Sequence, residues 1–453
     1  MLPVGAIGDR FGRKPVLLAG LAVFGVATVG SLLATTTGLM IVARIVAGVG
    51  AAMIMPVTLS IITSSFPPED KAKAIGVWAG FAGGGSMIAM FVSAFMLDVL
   101  TWRWVFALPF VLIAVSAVMT WRHAPNSKEA SDHRFDTVGS VLSAVAIGSL
   151  VLGIHEGPEH GWSAPLTMLA MFIGVACLIA FVVWERRHPA PLLDISAFRD
   201  RGLATGAVTL LIVFAVMFGI FLVLFPFFQA VLGWTALHSA AAMLPMTVVM
   251  MPMSTLAPRI ASRFGRRNTM AAGVAIFAGG LTTMALRASV EGGYMSVLPG
   301  LMLIGLGMGL TMTPATEAIT ETLPPEKQGV ASALNDTSRE LGGAVGIALL
   351  GSVLAAGYKS AIDPALAGVS PELAEQAREG IGAAFAVAAQ AGDQGPVIID
   401  AAKHAFVEGW VQSMWLGVGM AAVAFVYLVV RGPGRIVAAA PADAIEAESV
   451  SVG

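Results

Sequence analysis

Gly5-Ala6-Ile7-Gly8-Asp9-Arg10-Phe11-Gly12-Arg13-Lys14 is a basic, glycine-punctuated decapeptide, and its core returns far downstream as Arg263-Phe264-Gly265-Arg266-Arg267. Both copies lie between long apolar runs, as the repeated turn of an internally duplicated membrane fold does. Four apolar runs follow each copy before its half closes. Two more precede the second copy, starting near Leu203, and none precede the first. If the halves are built alike, two helices are expected ahead of Met1, in a plan of six plus two plus six.

The apolar runs themselves decide the class. Of the 453 residues 57% are hydrophobic and 12% charged, about half the charge of a soluble domain. Runs of about 20 apolar residues suit helices crossing a ~30 Å hydrocarbon layer, where only internal hydrogen bonds satisfy the backbone. Spans are expected at about 15–36, 39–63, 75–97, 102–121, 138–154, 165–184, 203–230, 239–258, 269–288, 296–316, 331–355 and 406–430. The chain therefore reads as an all-α polytopic membrane protein with about twelve spans.

Charge placement gives the orientation. Nineteen of the 26 Lys and Arg fall on one side, among them Arg10, Lys71, Arg122, Lys128, Arg134, Arg186, Arg263, Lys327 and Arg435. The positive-inside rule makes that side the cytoplasm and puts both chain ends there. The expected organisation is an N-terminal bundle of about four spans over 1–121, a two-span linker over 122–202 and a six-helix bundle over 203–431. Within the last, the external stretch 357–405 reads as containing a helix or hairpin at Pro371 to Gln390. Residues 432–453, rich in alanine with Asp443, Glu446 and Glu448, read as a disordered tail.

The lone Cys177 excludes an intrachain disulfide and a cysteine-held metal. The seven histidines lack metal-ligand spacing, and no cofactor is expected. His155, Glu156, Glu159 and His160 share an expected external loop without forming a ligand set. A Walker motif and a hydrolase constellation are missing too, so neither ATP-driven pumping nor enzyme chemistry is expected.

With these features in hand, the chain resembles the major facilitator superfamily, in particular its fourteen-span drug:proton antiporters. Gly5-x-Ile7-x-Asp9-Arg10-x-Gly12-Arg13-Lys14 is similar to the signature loop after the second helix. Arg44-x3-Gly48-x-Gly50-Ala51-Ala52 resembles the fourth-helix arginine motif, and Trp102-Arg103-Trp104 the start of the sixth helix. Pro314-Ala315-Thr316-Glu317 and Gly329 to Gly343 resemble the late C-terminal half. The fifth-helix stretch Gly83 to Ala94 departs from the antiporter motif, lacking its Gly-Pro pair. The resemblance implies the major facilitator fold with two extra linker helices, and Gly5, Asp9, Arg10, Gly12, Arg13 and Lys14 acting as a cytoplasmic gate that breaks and reforms.

Four residues are candidates for proton coupling or substrate binding. Asp336, Arg339 and Glu340 share one helical face, and Glu340 lies roughly 13 Å along its span from Ala331. A carboxylate at that depth beside a guanidinium has the tuning proton exchange needs; a self-satisfied ion pair is the plainer reading. Arg44, a charge within an apolar run, reads either as a coupling residue or as a structural ion-pair member. Phe214 to Phe228 and Met243, Met246, Met250, Met251 and Met253 either line an adaptable pocket or pack against lipid and neighbouring helices. Glu317 and Glu321, at the cytoplasmic end of a span, are expected to be solvated.

The expectation is a monomeric plasma-membrane transporter exporting lipophilic or cationic compounds in exchange for protons, with the lipid bilayer as its surroundings and no nucleic-acid partner. A transport-inactive fragment and a facilitator without proton antiport are the alternatives.

Overall fold

The computed structural model describes residues 1–126, 136–189, 191–324, 327–367 and 369–432. Lys128, Arg134, Arg435 and the tail expected to be disordered beyond Gly432 lie outside them. Sixteen α-helices follow in order: α1 (Leu2–Phe11), α2 (Arg13–Leu32), α3 (Thr37–Ser65), α4 (Pro68–Val99), α5 (Ala107–His123), α6 (Thr137–His160), α7 (Pro165–Glu185) and α8 (Arg201–Pro226), then α9 (Ala236–Ala241), α10 (Leu244–Phe264), α11 (Arg266–Arg287), α12 (Gly293–Thr322), α13 (Gln328–Ile362), α14 (Pro371–Arg378), α15 (Ile381–Ala388) and α16 (Gly395–Arg431). No strand occurs among the described residues.

Eleven segments are long and apolar enough to cross a membrane among the described residues. The twelfth expected span is present as α4, a 32-residue helix. Helix α6 runs on to His160, so the residues expected in a loop there form its last turns.

The repeat is built into the backbone. Gly12 joins α1 to α2 at φ 106°, ψ 135°, and Gly265 joins α10 to α11 at φ 90°, ψ 144°. That positive-φ region is open to glycine and closed to other L-residues without strain, which is why both copies keep Arg-Phe-Gly-Arg. Immediately after each glycine an arginine turns inward: Arg13 is fully buried and Arg266 is 9% exposed.

Caps set several helix starts. The Asp200 carboxylate accepts from the Gly202 and Leu203 amides at 2.7 and 3.1 Å. Thr36 caps α3 through the Leu39 amide, as side-chain oxygens do for otherwise orphaned N–H groups.

The large core joins α8 through α16 and includes Leu203, Leu224, Phe277 and Trp410. A smaller one, Val16, Leu17, Leu21 and Val57, ties α2 to α3. Helix α5 buries no residue, and its exposed Phe110, Val111, Leu112, Val115 and Val118 suit a lipid-facing span. The expected outer hairpin is α14 and α15, fastened where the Tyr358 hydroxyl donates to the Ala377 carbonyl at 3.1 Å.

Helices α8 and α13 approach through Gly342 and Gly346, where a methyl would overlap the carbonyls of Leu211 and Ala215. Close backbone approach through small residues is how helices associate in lipid. Gly346→Val is expected to destabilise the fold by about 2 kcal/mol or more. The drop should be visible in the melting temperature and the monodisperse fraction after detergent extraction.

Candidate functional site

One end of the molecule carries Arg10, Arg13, Arg266 and Lys327 and is called the basic end here. There α1 lies across the start of α13. The Asp9 carboxylate, 6% exposed, accepts from Arg13 Nη2 at 2.8 Å and Nε at 3.1 Å. It also accepts from the Gly329 amide, at 2.8 Å to Oδ2 and 2.9 Å to Oδ1. A carboxylate at an exposed helix N-terminus satisfies orphan N–H groups and the helix dipole together. Burial pushes the Asp9 carboxyl up, to about 6, with Arg13 and the Gly329 amide pulling it down. The contact is backbone-close because Gly5 and Gly329 face each other, and a methyl on either would strike the other's carbonyl. Lys14 Nζ reaches the Trp121 carbonyl near the end of α5 at 2.8 Å.

The second copy is wired differently. Ser262 stands where Asp9 stands, so Arg266 takes its acids from α12: Glu321 at 2.7 Å and Glu317 at 3.6 Å. Glu317 is thus not solvated as expected but 3% exposed, because Arg266 is carried inward by Gly265. Glu321 remains substantially exposed. Beside them α4 meets α10: Ser254 Oγ donates to the Gly76 carbonyl at 3.2 Å and lies 3.0 Å from Thr313 Oγ1.

Between these contacts and the opposite end lies a cavity of about 470 Å³. Helix α3 contributes Met55 and Thr58, α4 Trp78 and Met90, and α8 Phe214, Phe218 and Phe221. Met246 and Met250 of α10, Met308 and Met312 of α12, and Arg339 and Glu340 of α13 complete much of the wall. Of the residues expected at such a pocket, Phe225, Phe227, Phe228, Met243, Met251 and Met253 do not line it; Phe227, Phe228 and Met243 are fully buried in the core.

The two charged groups of that wall are held very differently. Arg339 lies 3.7 Å from Asp336 and over the Phe214 ring at 4.5 Å and the Trp78 ring at 5.4 Å. Asp336 is fully buried; the Asn335 amide donates to its Oδ1 at 3.2 Å, and its Oδ2 has no hydrogen bond among the described residues. Thr316 in turn donates to Asn335 at 2.9 Å. Glu340 is exposed to the cavity and has no hydrogen-bond or ion-pair partner among the described residues. The surface offered to a ligand is therefore methionine, aromatic rings and one carboxylate, with the guanidinium shielded.

Arg44 is not brought to this site. Its Nη2 donates to Ser31 Oγ at 3.0 Å, it sits 5.0 Å from the Phe106 ring centre, and it does not line the cavity. Glu156 pairs with His160 at 2.9 Å; the side chain of Glu159 lies outside the described residues. Trp78, Met308 and Met312 were not singled out in the sequence, where their apolar runs give no sign of which face meets the cavity.

A sequence profile of the Major Facilitator Superfamily matches residues 1–347. The multidrug resistance protein Stp of Mycobacterium tuberculosis is 30% identical over 82% of this chain and 69% of its own length. The multidrug efflux pump LfrA of Mycolicibacterium smegmatis is 30% identical over 90% and 81%. The quinolone resistance protein NorB of Staphylococcus aureus is 30% identical over 78% and 76%. In fold, the human organic anion transporter MFSD10 superposes with a TM-score of 0.61 at 12% identity, covering 94% of this chain and 79% of that one. The proton:xylose symporter XylE superposes at 0.56 and 15% identity, covering 95% and 83%. Repeat, spans, profile and relatives agree: this polytopic membrane protein belongs to the major facilitator superfamily.

Proposed function

We propose that the chain exports lipophilic, positively charged compounds across the plasma membrane by alternating access, with Glu340 exchanging a proton for the substrate. The observation that carries this reading is the cavity wall: a free carboxylate among methionines and phenylalanines, beside a guanidinium shielded by rings and by Asp336. Thioethers and aromatic faces adapt to bulky apolar bodies of varied shape, and the unpaired carboxylate selects for positive charge. The efflux and resistance proteins among the relatives support export as the direction.

The basic end is the cytoplasmic one on the positive-inside rule. Helices α1 to α5 and α8 to α16 then form two bodies that rock about the cavity, with α6 and α7 linking them. Asp9 on Gly329 and Ser254 on Gly76 are the contacts that close the cytoplasmic side and must part when it opens. Arg44, outside the cavity, is assigned to holding α3 against α2 rather than to coupling.

The test is transport in proteoliposomes holding the full chain, with tetraphenylphosphonium as probe. A pH gradient, acid inside the vesicles into which substrate is pumped, is expected to drive accumulation that a protonophore collapses. Movement of the probe that ignores the gradient would make the protein a facilitator instead.

A further inference from the structure

The guanidinium of Arg339 is held between two aromatic jaws on different helices. Phe214 stands on α8, which packs along α13, and Trp78 stands on α4, which packs chiefly against α10 and which the proposed rocking assigns to the other body. Trp78 is two residues from Gly76, whose carbonyl accepts from Ser254 of α10, so the place of the indole is tied to closure of the basic end. When α4 and α10 separate there, Phe214 stays with Arg339 and Trp78 leaves.

From this geometry we infer that Trp78 is a positioning residue for coupling: closed, it holds Arg339 off Glu340, and open, it releases Arg339 to pair with Glu340. This inference rests on the exchange reading above and assigns the step that couples the proton to the rocking. Arg339 and Glu340 follow one another on α13 and both reach the cavity wall, so the swing takes the long guanidinium side chain through the cavity toward the carboxylate. Arg339 remains a cation throughout. On opening, the Glu340 carboxyl gives its proton to cytoplasmic water as the guanidinium arrives, and the cationic substrate then displaces the guanidinium from the carboxylate. On closure Trp78 draws Arg339 back, a proton from the opposite side reforms the carboxylic acid, and the substrate is released.

The surroundings permit the swing. Asp336 keeps the Asn335 amide when Arg339 turns away. Helices α3, α4, α8, α10 and α12 bring no other charged group to the wall among the described lining residues. Glu317 of α12 and Asp9 of α1 face Arg266 and Arg13 instead.

Two readouts separate coupling from packing: accumulation of tetraphenylphosphonium driven by a pH gradient, and its one-for-one exchange across the membrane with no gradient. Trp78→Leu removes the ring and is expected to lower driven accumulation about tenfold, the size of one desolvated cation–π contact, with exchange, which the lost wall ring also weakens, falling by clearly less. Trp78→Phe keeps a ring and should restore most of the driven accumulation. Accumulation unchanged in Trp78→Leu, or equally lost in Trp78→Phe, overturns the inference. Exchange lost together with accumulation in Trp78→Leu also overturns it, making Trp78 a packing residue. Absence of driven accumulation in the unmodified chain removes the exchange reading itself, a failure visible before any variant is made.

Discussion

Gly329→Ala is expected to stop the transport cycle without unfolding the chain. A methyl there would overlap the Gly5 carbonyl and come within 2.7 Å of Asp9 Oδ2. Both obstacles are held in place: one is backbone, and the other is pinned by Arg13. α1 must therefore withdraw from α13, and the two bonds from the Gly329 amide to Asp9 are lost. A hydrogen bond to a charged group is worth about 1.5–3 kcal/mol, so the closed state should lose roughly 10- to 150-fold in population. The helix propensity of alanine works the other way, favouring α13 itself by about 1 kcal/mol, so a loss of function would be due to the contact. The check is twofold. Tetraphenylphosphonium transport should fall to near background, and a cysteine placed at the fully buried Ala333 should gain reactivity toward a water-soluble maleimide from the cytoplasmic side. Wild-type transport with Ala333→Cys still protected would mean the α1–α13 contact is not a gate. Asp9→Asn, which keeps the shape and loses the charge, should have the same sign and a smaller effect.

What the sequence could say about this gate follows from which constraints are local. The turn between α1 and α2 is legible because a basic helix–glycine–helix joint needs positive φ at Gly12, and the same need repeats at Gly265. The partner of Asp9 is not legible, since the Gly329 amide lies 320 residues away and a backbone N–H leaves no mark in the sequence. Glu317 misleads for a related reason. Its position at the end of an apolar run suggests water, and only the inward turn of Arg266 makes it part of a buried ion pair. The spans are plain from hydropathy, each a run of about 20 apolar residues. The cavity wall is the least legible part. A membrane helix is apolar on all sides, so periodicity does not tell Met250, which lines the cavity, from Met253, which does not. Charges do better: Arg339 and Glu340 stand out in an apolar run, and both reach the wall. Arg44 stands out equally and lies elsewhere, because its position on α3 faces Ser31 and Phe106.

Glu340→Gln should have the larger effect of the two substitutions that test the cavity's acids, and the contrast with Asp336→Asn carries the argument. Glutamine fills the space of glutamate and neither ionises nor attracts a cation. A unit charge pair at about 4–5 Å in surroundings of effective dielectric about 20 is worth about 3–4 kcal/mol, so binding of a cationic probe should weaken by 100-fold or more. Gradient-driven accumulation should vanish with it, while a neutral lipophilic probe, held by the methionines and rings, should bind about as before. Asp336→Asn acts by another route. It leaves Arg339 shielded from water and without its buried carboxylate, a loss of about 3–5 kcal/mol when one partner of a buried pair is removed, so the melting temperature should drop. The freed guanidinium then has Glu340 as its nearest acid, and cation binding should weaken through that new pair. Binding of tetraphenylphosphonium and melting temperature, measured on both variants, separate the roles. Glu340→Gln should lose the first and keep the second, and Asp336→Asn should lose both. A Glu340→Gln protein that still accumulates the cation against a pH gradient would move the exchanging carboxylate to Asp336, whose unpartnered Oδ2 is then the oxygen that takes the proton.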